Sequence, residues 1–255
     1  QMPTLQLDFW RQKDYHAVSI THFFVDVLNN SRNIIMALLA VSIGLTNAQL
    51  GIALLLYNVG NALTQPFFGI LADRIGPRWL VIGGTGWMIF FYALCSVLAD
   101  WPALIAITIA GIGSGAFHPT GTMVASRTPL ATRNRATAVF FMMGQLGLFI
   151  GPLLAGILID WNGRFGTLLL PILSLFALAS GWQWVSNQST NHPITQSPTT
   201  SSKAQSAKRP PQFALRATIL FTVILLSATA SIAAISFAPK LFAELGFEAT
   251  YLGLL

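Results

Sequence analysis

Between residues 22 and 33 an otherwise apolar stretch holds His22, Asp26, Asn29, Asn30, Arg32 and Asn33. At about 100° per residue, His22, Asp26, Asn29 and Asn33 fall within about 60° of one another on a helix. Arg32 points roughly 80° to one side of that stripe. An ionised aspartate at mid-membrane costs about 2.5–3.5 kcal/mol even on a lenient scale, so the stripe must face a wet cavity or a partner. His22 and Asp26 can exchange protons there, since burial and close neighbours tune the proton affinity of imidazole and carboxyl groups most readily. The alternative is a structural network in which His22 or Arg32 neutralises Asp26 and nothing is transported. His22-x-x-x-Asp26 is one residue short of the H-x-x-x-x-D pair of acyltransferases, which argues against that enzyme class. His118 ends a second motif, Gly111-Ile112-Gly113-Ser114-Gly115-Ala116-Phe117-His118-Pro119. Such a run is expected either to break a helix and expose backbone groups near a cavity, or merely to form a packing groove with a kink.

Two further strings suggest mechanics rather than chemistry. The stretch Gly69-Ile70-Leu71-Ala72-Asp73-Arg74-Ile75-Gly76-Pro77-Arg78 reads as a tight connection between helices. Gly69 permits a close helix approach, Gly76 a sharp turn, and Asp73 can pair with Arg74, Arg78 or a neighbouring helix. Further on, Gly147, Gly151 and Gly156 flank Pro152. Small residues four apart make a groove for another helix, and the proline frees a carbonyl and bends its own.

The elements that position these residues follow from composition. Apolar residues make up 54% of the 255 positions and charged residues 9%, where a soluble domain carries about a quarter charged. Lipid is therefore the expected solvent. Seven apolar runs are long enough to span it: Ala17–Ala40, Ala48–Ala72, Trp79–Leu98, Pro102–Ser126, Thr137–Ile159, Phe165–Val185 and Phe213–Ala238. They must be helices, because each has to satisfy its own backbone in hydrocarbon. The expected fold is an all-α, polytopic membrane protein. With the N-terminus inside, eleven of the 14 lysines and arginines lie in inner segments, Arg164 and Lys240 lie outside, and Arg32 lies within a span. This bias predicts a cytoplasmic N-terminus, residues 1–16. The net charge of +6 sits in short loops rather than on one basic face, so no nucleic-acid partner is expected. Cys95 is the single cysteine, which excludes a disulfide framework and a Cys-rich zinc site. No catalytic or metal-binding constellation stands out.

Residues 187–212 are rich in Ser, Thr, Gln, Pro and Lys and read as a cytoplasmic linker. Six spans (17–186) precede it, and 213–255 begins a second bundle. A weak repeat supports this division: Gly44, Leu50 and Gly51 match Gly246, Leu252 and Gly253 at one constant offset. A parallel duplication of six-helix halves is one transporter architecture, and on that reading the chain stops as its eighth helix begins.

The 69–78 string resembles the signature loop of the major facilitator superfamily, G-x-L-A-D-R-x-G-R-[RK], departing only at Pro77. The resemblance implies that Gly69, Asp73, Arg74, Gly76 and Arg78 form a cytoplasmic gating loop. Gly147, Gly151, Pro152 and Gly156 are similar to the antiporter signature G-x-x-x-G-P-x-x-G-G, with Ala155 replacing one glycine. Ser19-x-x-His22-Phe23-x-x-Asp26, taken with Gly113-Ser114-x-Ala116-Phe117-His118-Pro119, resembles the fosmidomycin-resistance type of major facilitator, a group of proton-driven drug exporters. Thr120, Asn30 and Arg32 depart from that group. The resemblance implies a half-bundle that rocks against a second one. It also implies efflux of a small drug-like or metabolite molecule in exchange for protons, with His22, Asp26, Asn29, Arg32, Asn33 and His118 lining the path. The expected partners are the lipid bilayer of the cell membrane, a small substrate and protons. No cofactor is expected beyond the proton gradient, and the intact protein is expected to be a monomer. A solute importer of the same fold and a non-transporting sensor are the rival readings.

Overall fold

The computed structural model describes residues 8–186 and 213–254. The stretch read as a linker, 187–212, lies outside the described residues. A 3-10 turn (Asp8–Arg11) leads into α1 (Lys13–Ile43), α2 (Asn47–Ile75), α3 (Pro77–Val97), α4 (Asp100–Ala125), α5 (Leu130–Gly166) and α6 (Leu169–Trp184). After the gap come α7 (Phe213–Glu244) and α8 (Ala249–Gly253). No strand occurs among the described residues. Successive helices run antiparallel, so Arg74, Arg78, Arg127, Arg133 and Arg135 gather at one end of the bundle. This is called the basic end below.

By length and composition α1, α3, α4 and α5 can cross a membrane. The other helices differ for identifiable reasons. α2 is 29 residues long, but Asn58, Asn61 and Gln65 dilute its apolar character, and all three line a cavity. α6 has 16 residues, fewer than the expected run Phe165–Val185. The shortfall arises at its start, where Asn162 and Gly163 leave helical geometry and the chain turns. Gly163, at φ +55°, adopts a conformation that side chains oppose. Leu55, Leu63, Phe67, Phe90 and Phe176 are large apolar side chains left exposed, a surface that suits lipid.

Inside, the glycines of α4 decide its spacing from α2 and α3. A Cβ at Gly111 or Gly115 would strike the backbone of α2, at Tyr57 and Asn61 respectively. One at Gly113 would strike the carbonyl of Gly84 on α3. Ser114, between them, faces α1. The expected break at His118-Pro119 does not occur, and α4 continues to Ala125. A proline removes one N–H from a helix but need not end it. Here Thr120 Oγ1 donates back to the carbonyls of Ala116 and Phe117, holding the turn. Gly69, read as a site of close approach, meets only Pro119 Cβ at an ordinary 3.9 Å. The tight α2–α4 contact lies instead at Gly111 and Gly115.

The two members of the repeat end their helices alike. Gly44 (φ +76°) and Gly246 (φ +83°) both adopt the left-handed conformation. Leu45 N–H donates to the Ala40 carbonyl, and Phe247 N–H to the Phe242 carbonyl, the 6→1 bond of a glycine-capped helix end. Leu50 and Leu252 are both buried.

Candidate functional site

Helix α1 places His22 and Asp26 one turn apart, with His22 Nε2 3.1 Å from Asp26 Oδ2. The other imidazole nitrogen, Nδ1, lies 2.8 Å from the Phe140 carbonyl on α5. A carbonyl only accepts, so Nδ1 carries a proton. Two lone pairs would not face each other at 3.1 Å, so a second proton lies between His22 and Asp26 whichever of them holds it. His118 Nε2 approaches the other carboxylate oxygen at 3.5 Å. The side chains of His22 and Asp26 are 6% and 8% exposed, that of His118 25%, so His118 is the open member of the triad.

Asn29 orients the carboxylate. Its Nδ2 lies 2.8 Å from Asp26 Oδ1 and 3.0 Å from Ser114 Oγ, and its Oδ1 accepts from Tyr57 Oη at 2.6 Å. The amide is thus held by α1, α2 and α4 together. His22 also stacks on Phe140, with ring centroids 4.1 Å apart.

These groups border a cavity of about 610 Å³ whose wall comes from α1, α2, α4 and α5. His22, Asp26, Asn29, Arg32 and His118 all line it. Arg32 lies off the stripe, but its long side chain extends over the Tyr57 ring at 4.0 Å and donates from Nη2 to Asn58 Oδ1. Asn33 departs from expectation. It donates to Asn30 Oδ1 and lines a separate gap with Pro152 and residues of α7 and α8. Seven residues of helix, about 10 Å of rise, carry it past the cavity wall. Thr120 likewise turns from the cavity into a backbone bond and is fully buried.

The structure also assigns roles the sequence left unread. A Cβ on Gly144 would lie 2.5 Å from His22 Cε1 and 2.6 Å from Asp26 Oδ2, so this glycine admits the pair against α5. Gly147 and Gly151 continue the same seam, facing the backbone of α1 at Phe23 and Val27. Gly156 faces the other way, onto the backbone of Ala249 in α8. Because Pro152 has no N–H, the carbonyl of Leu148 one turn earlier is left free, and Asn30 Nδ2 donates to it at 2.6 Å. The spacing of glycines revealed a groove but not its partners.

At the basic end Gly76 (φ +89°) ends α2 and precedes Pro77, the first residue of α3. Arg78 Nη2 donates to the Trp182 carbonyl on α6 at 2.6 Å. Asp73 and Arg74 are exposed and make no ion pair among the described residues.

A sequence model described as the Major Facilitator Superfamily matches residues 18–255. Among curated relatives, the fosmidomycin resistance protein of Escherichia coli is 28% identical over 176 residues, 68% of this chain and 43% of that protein. An uncharacterized MFS-type transporter of Bacillus subtilis is 27% identical over 162 residues, 63% of this chain and 40% of that protein. The chain therefore spans less than half the length of these relatives. In three dimensions it is similar to a bacterial homologue of the human lysosomal transporter Spinster, crystallised inward-facing and unoccupied. That likeness has a TM-score of 0.74 at 14% identity, over 94% of this chain and 57% of the other. The superfamily is one of membrane-embedded transporters, which work without enzymatic chemistry and in general without a cofactor. By the span of the sequence match and by its fold, the chain belongs to the Major Facilitator Superfamily.

Proposed function

We propose that the intact protein exports a small drug-like or metabolite molecule across the cell membrane in exchange for protons, by alternating access. The single observation that carries this reading is the His22–Asp26–His118 triad on the wall of the 610 Å³ cavity. Deep ionisable groups that border a water-accessible cavity mark a proton path. His118, the more exposed member, receives the proton from the cavity and passes it to the Asp26 carboxylate, which already shares one proton with the buried His22. The change of charge biases the balance between inward and outward states, by the few kcal/mol that reversing a population demands.

In this reading the basic end is cytoplasmic, in keeping with its arginines. Residues 1–16 and 187–212 lie on that side, and 17–186 and 213–255 belong to two duplicated bundles, an assignment supported by the matching glycine caps at Gly44 and Gly246. Gly69, Asp73, Arg74, Gly76 and Arg78 act as the gating loop. Gly147, Gly151, Pro152 and Gly156 form the antiporter-type seam, and the similarity to a protein named for drug resistance supports export. The transporter works as a monomer in the bilayer.

The test is Asp26→Asn in the intact gene product, reconstituted in proteoliposomes with an imposed pH gradient. Substrate-induced proton movement should fall at least about tenfold, the protein remaining inserted and monodisperse. Unchanged coupling removes Asp26 from the mechanism. Accumulation in inside-out but not right-side-out vesicles separates export from import.

A further inference from the structure

Arg32 is the part of the cavity that proton exchange leaves unused. Among the described residues it is the one lysine or arginine on the wall of the 610 Å³ space, and a guanidinium keeps its charge in a protein. No carboxylate faces it among the described residues. Its Nη2 donates to Asn58, its plane rests on Tyr57, and its Nε is buried without a partner. Asp26, the only carboxylate on this wall among the described residues, is already engaged by His22, His118 and Asn29.

The charge balance follows from the hydrogen bonds. With one proton between them, His22 and Asp26 together are neutral. Arg32 then leaves this wall with one positive charge that no carboxylate among the described residues meets. At bilayer depth such a charge is costly until an opposite charge meets it. The planar fork of a guanidinium matches a carboxylate in particular. Beside it, Pro119, Phe141 and Leu148 supply apolar wall for an organic body.

We propose that the substrate is an organic monoanion, a carboxylate on an apolar body, held by Arg32 over Tyr57. The assignment rests on the reading of this cavity as the transport site. It also connects substrate to proton: Tyr57 lies under the guanidinium and donates to Asn29, which in turn donates to Asp26. An anion that draws Arg32 away from Tyr57 disturbs the bond that orients the carboxylate.

The experiment measures binding of 1-naphthoate, its neutral isostere 1-naphthamide and the dianion-forming 1-naphthylphosphonate to the intact protein in nanodiscs. Naphthoate should bind about tenfold or more tightly than naphthamide, because only it pairs with the guanidinium on the cavity wall. Arg32→Gln should remove that preference, while Arg32→Lys, which keeps charge but not the fork, should retain part of it. Each variant is checked for monodispersity, so that loss of binding is not loss of fold. Equal binding of naphthoate and naphthamide, or a preference that survives Arg32→Gln, overturns the proposal. Tighter binding of the phosphonate than of naphthoate overturns the monoanion. Asp26→Asn separates this inference from the proton reading: lost coupling with an intact naphthoate preference leaves both standing, whereas intact coupling with lost preference in Arg32→Gln sinks only the proton role.

Discussion

Gly144 sets how closely α5 can lie against the proton pair, because its missing side chain is the space that His22 and Asp26 occupy. Gly144→Ala is expected to push the imidazole off the carboxylate and reduce proton-coupled transport by roughly one to two orders of magnitude, the effect of misplacing reacting groups by about an ångström. Gly83→Ala, where a Cβ meets nothing within 4 Å, is the control and should transport normally. Equal activity of the two variants in proteoliposomes rules out the contact. The residues that the sequence made legible are those on one helix: His22, Asp26 and Asn29 stand at helical spacing, and periodicity alone groups them. Gly144, Ser114 and Tyr57 were illegible because their roles depend on where α5, α4 and α2 come to rest. Asn33 shows the opposite error, since an angular match says nothing of how far along the axis the cavity extends.

At the level of the helix, proline and asparagine act as a pair across α1 and α5. Pro152 frees the Leu148 carbonyl, and Asn30 satisfies it from the neighbouring helix. Asn30→Ala leaves that carbonyl without its partner in a water-poor seam, and should lower unfolding free energy by roughly 1 kcal/mol. Denaturation in mixed detergent reads this directly, and a stability equal to the parent's would show the bond to be idle. The helices themselves were largely readable, because runs of about 20 apolar residues leave few alternatives. Their ends were less so. The start of α6 depends on Asn162 and Gly163 turning the chain, and α4 runs on through Pro119 with Thr120 bonded back to the preceding turn. Both are local hydrogen-bond choices to which hydropathy is blind.

For the molecule as a whole, polar contacts at the end opposite the arginines tie α2 and α5 to the helices after the gap. Lys240 Nζ donates to Asn47 Oδ1 at 2.7 Å and pairs with Glu244 at 3.1 Å. Asp160 accepts from the backbone of Ala249 and Thr250 and from the Thr250 hydroxyl. Combining Asp160→Ala with Lys240→Met should favour opening at this end. With Cys95 replaced by alanine and Asn33→Cys as reporter, a membrane-impermeant maleimide should react several-fold faster, each lost charge-assisted bond accounting for roughly 1.5–3 kcal/mol at most. A rate equal to that of the reporter alone would mean that these contacts do not keep the end closed. None of this was legible beforehand, since Lys240 read only as one of two basic residues in outer segments. One further consequence belongs to α5. Its glycines touch α1 beside Asp26 and, three turns on, touch α8 through Gly156. A single rod is therefore pressed at two points with no bulky side chain to cushion either. Any tilt that parts α5 from α8 is borne by the α1 seam, where the proton pair sits, and strains the contact that holds it.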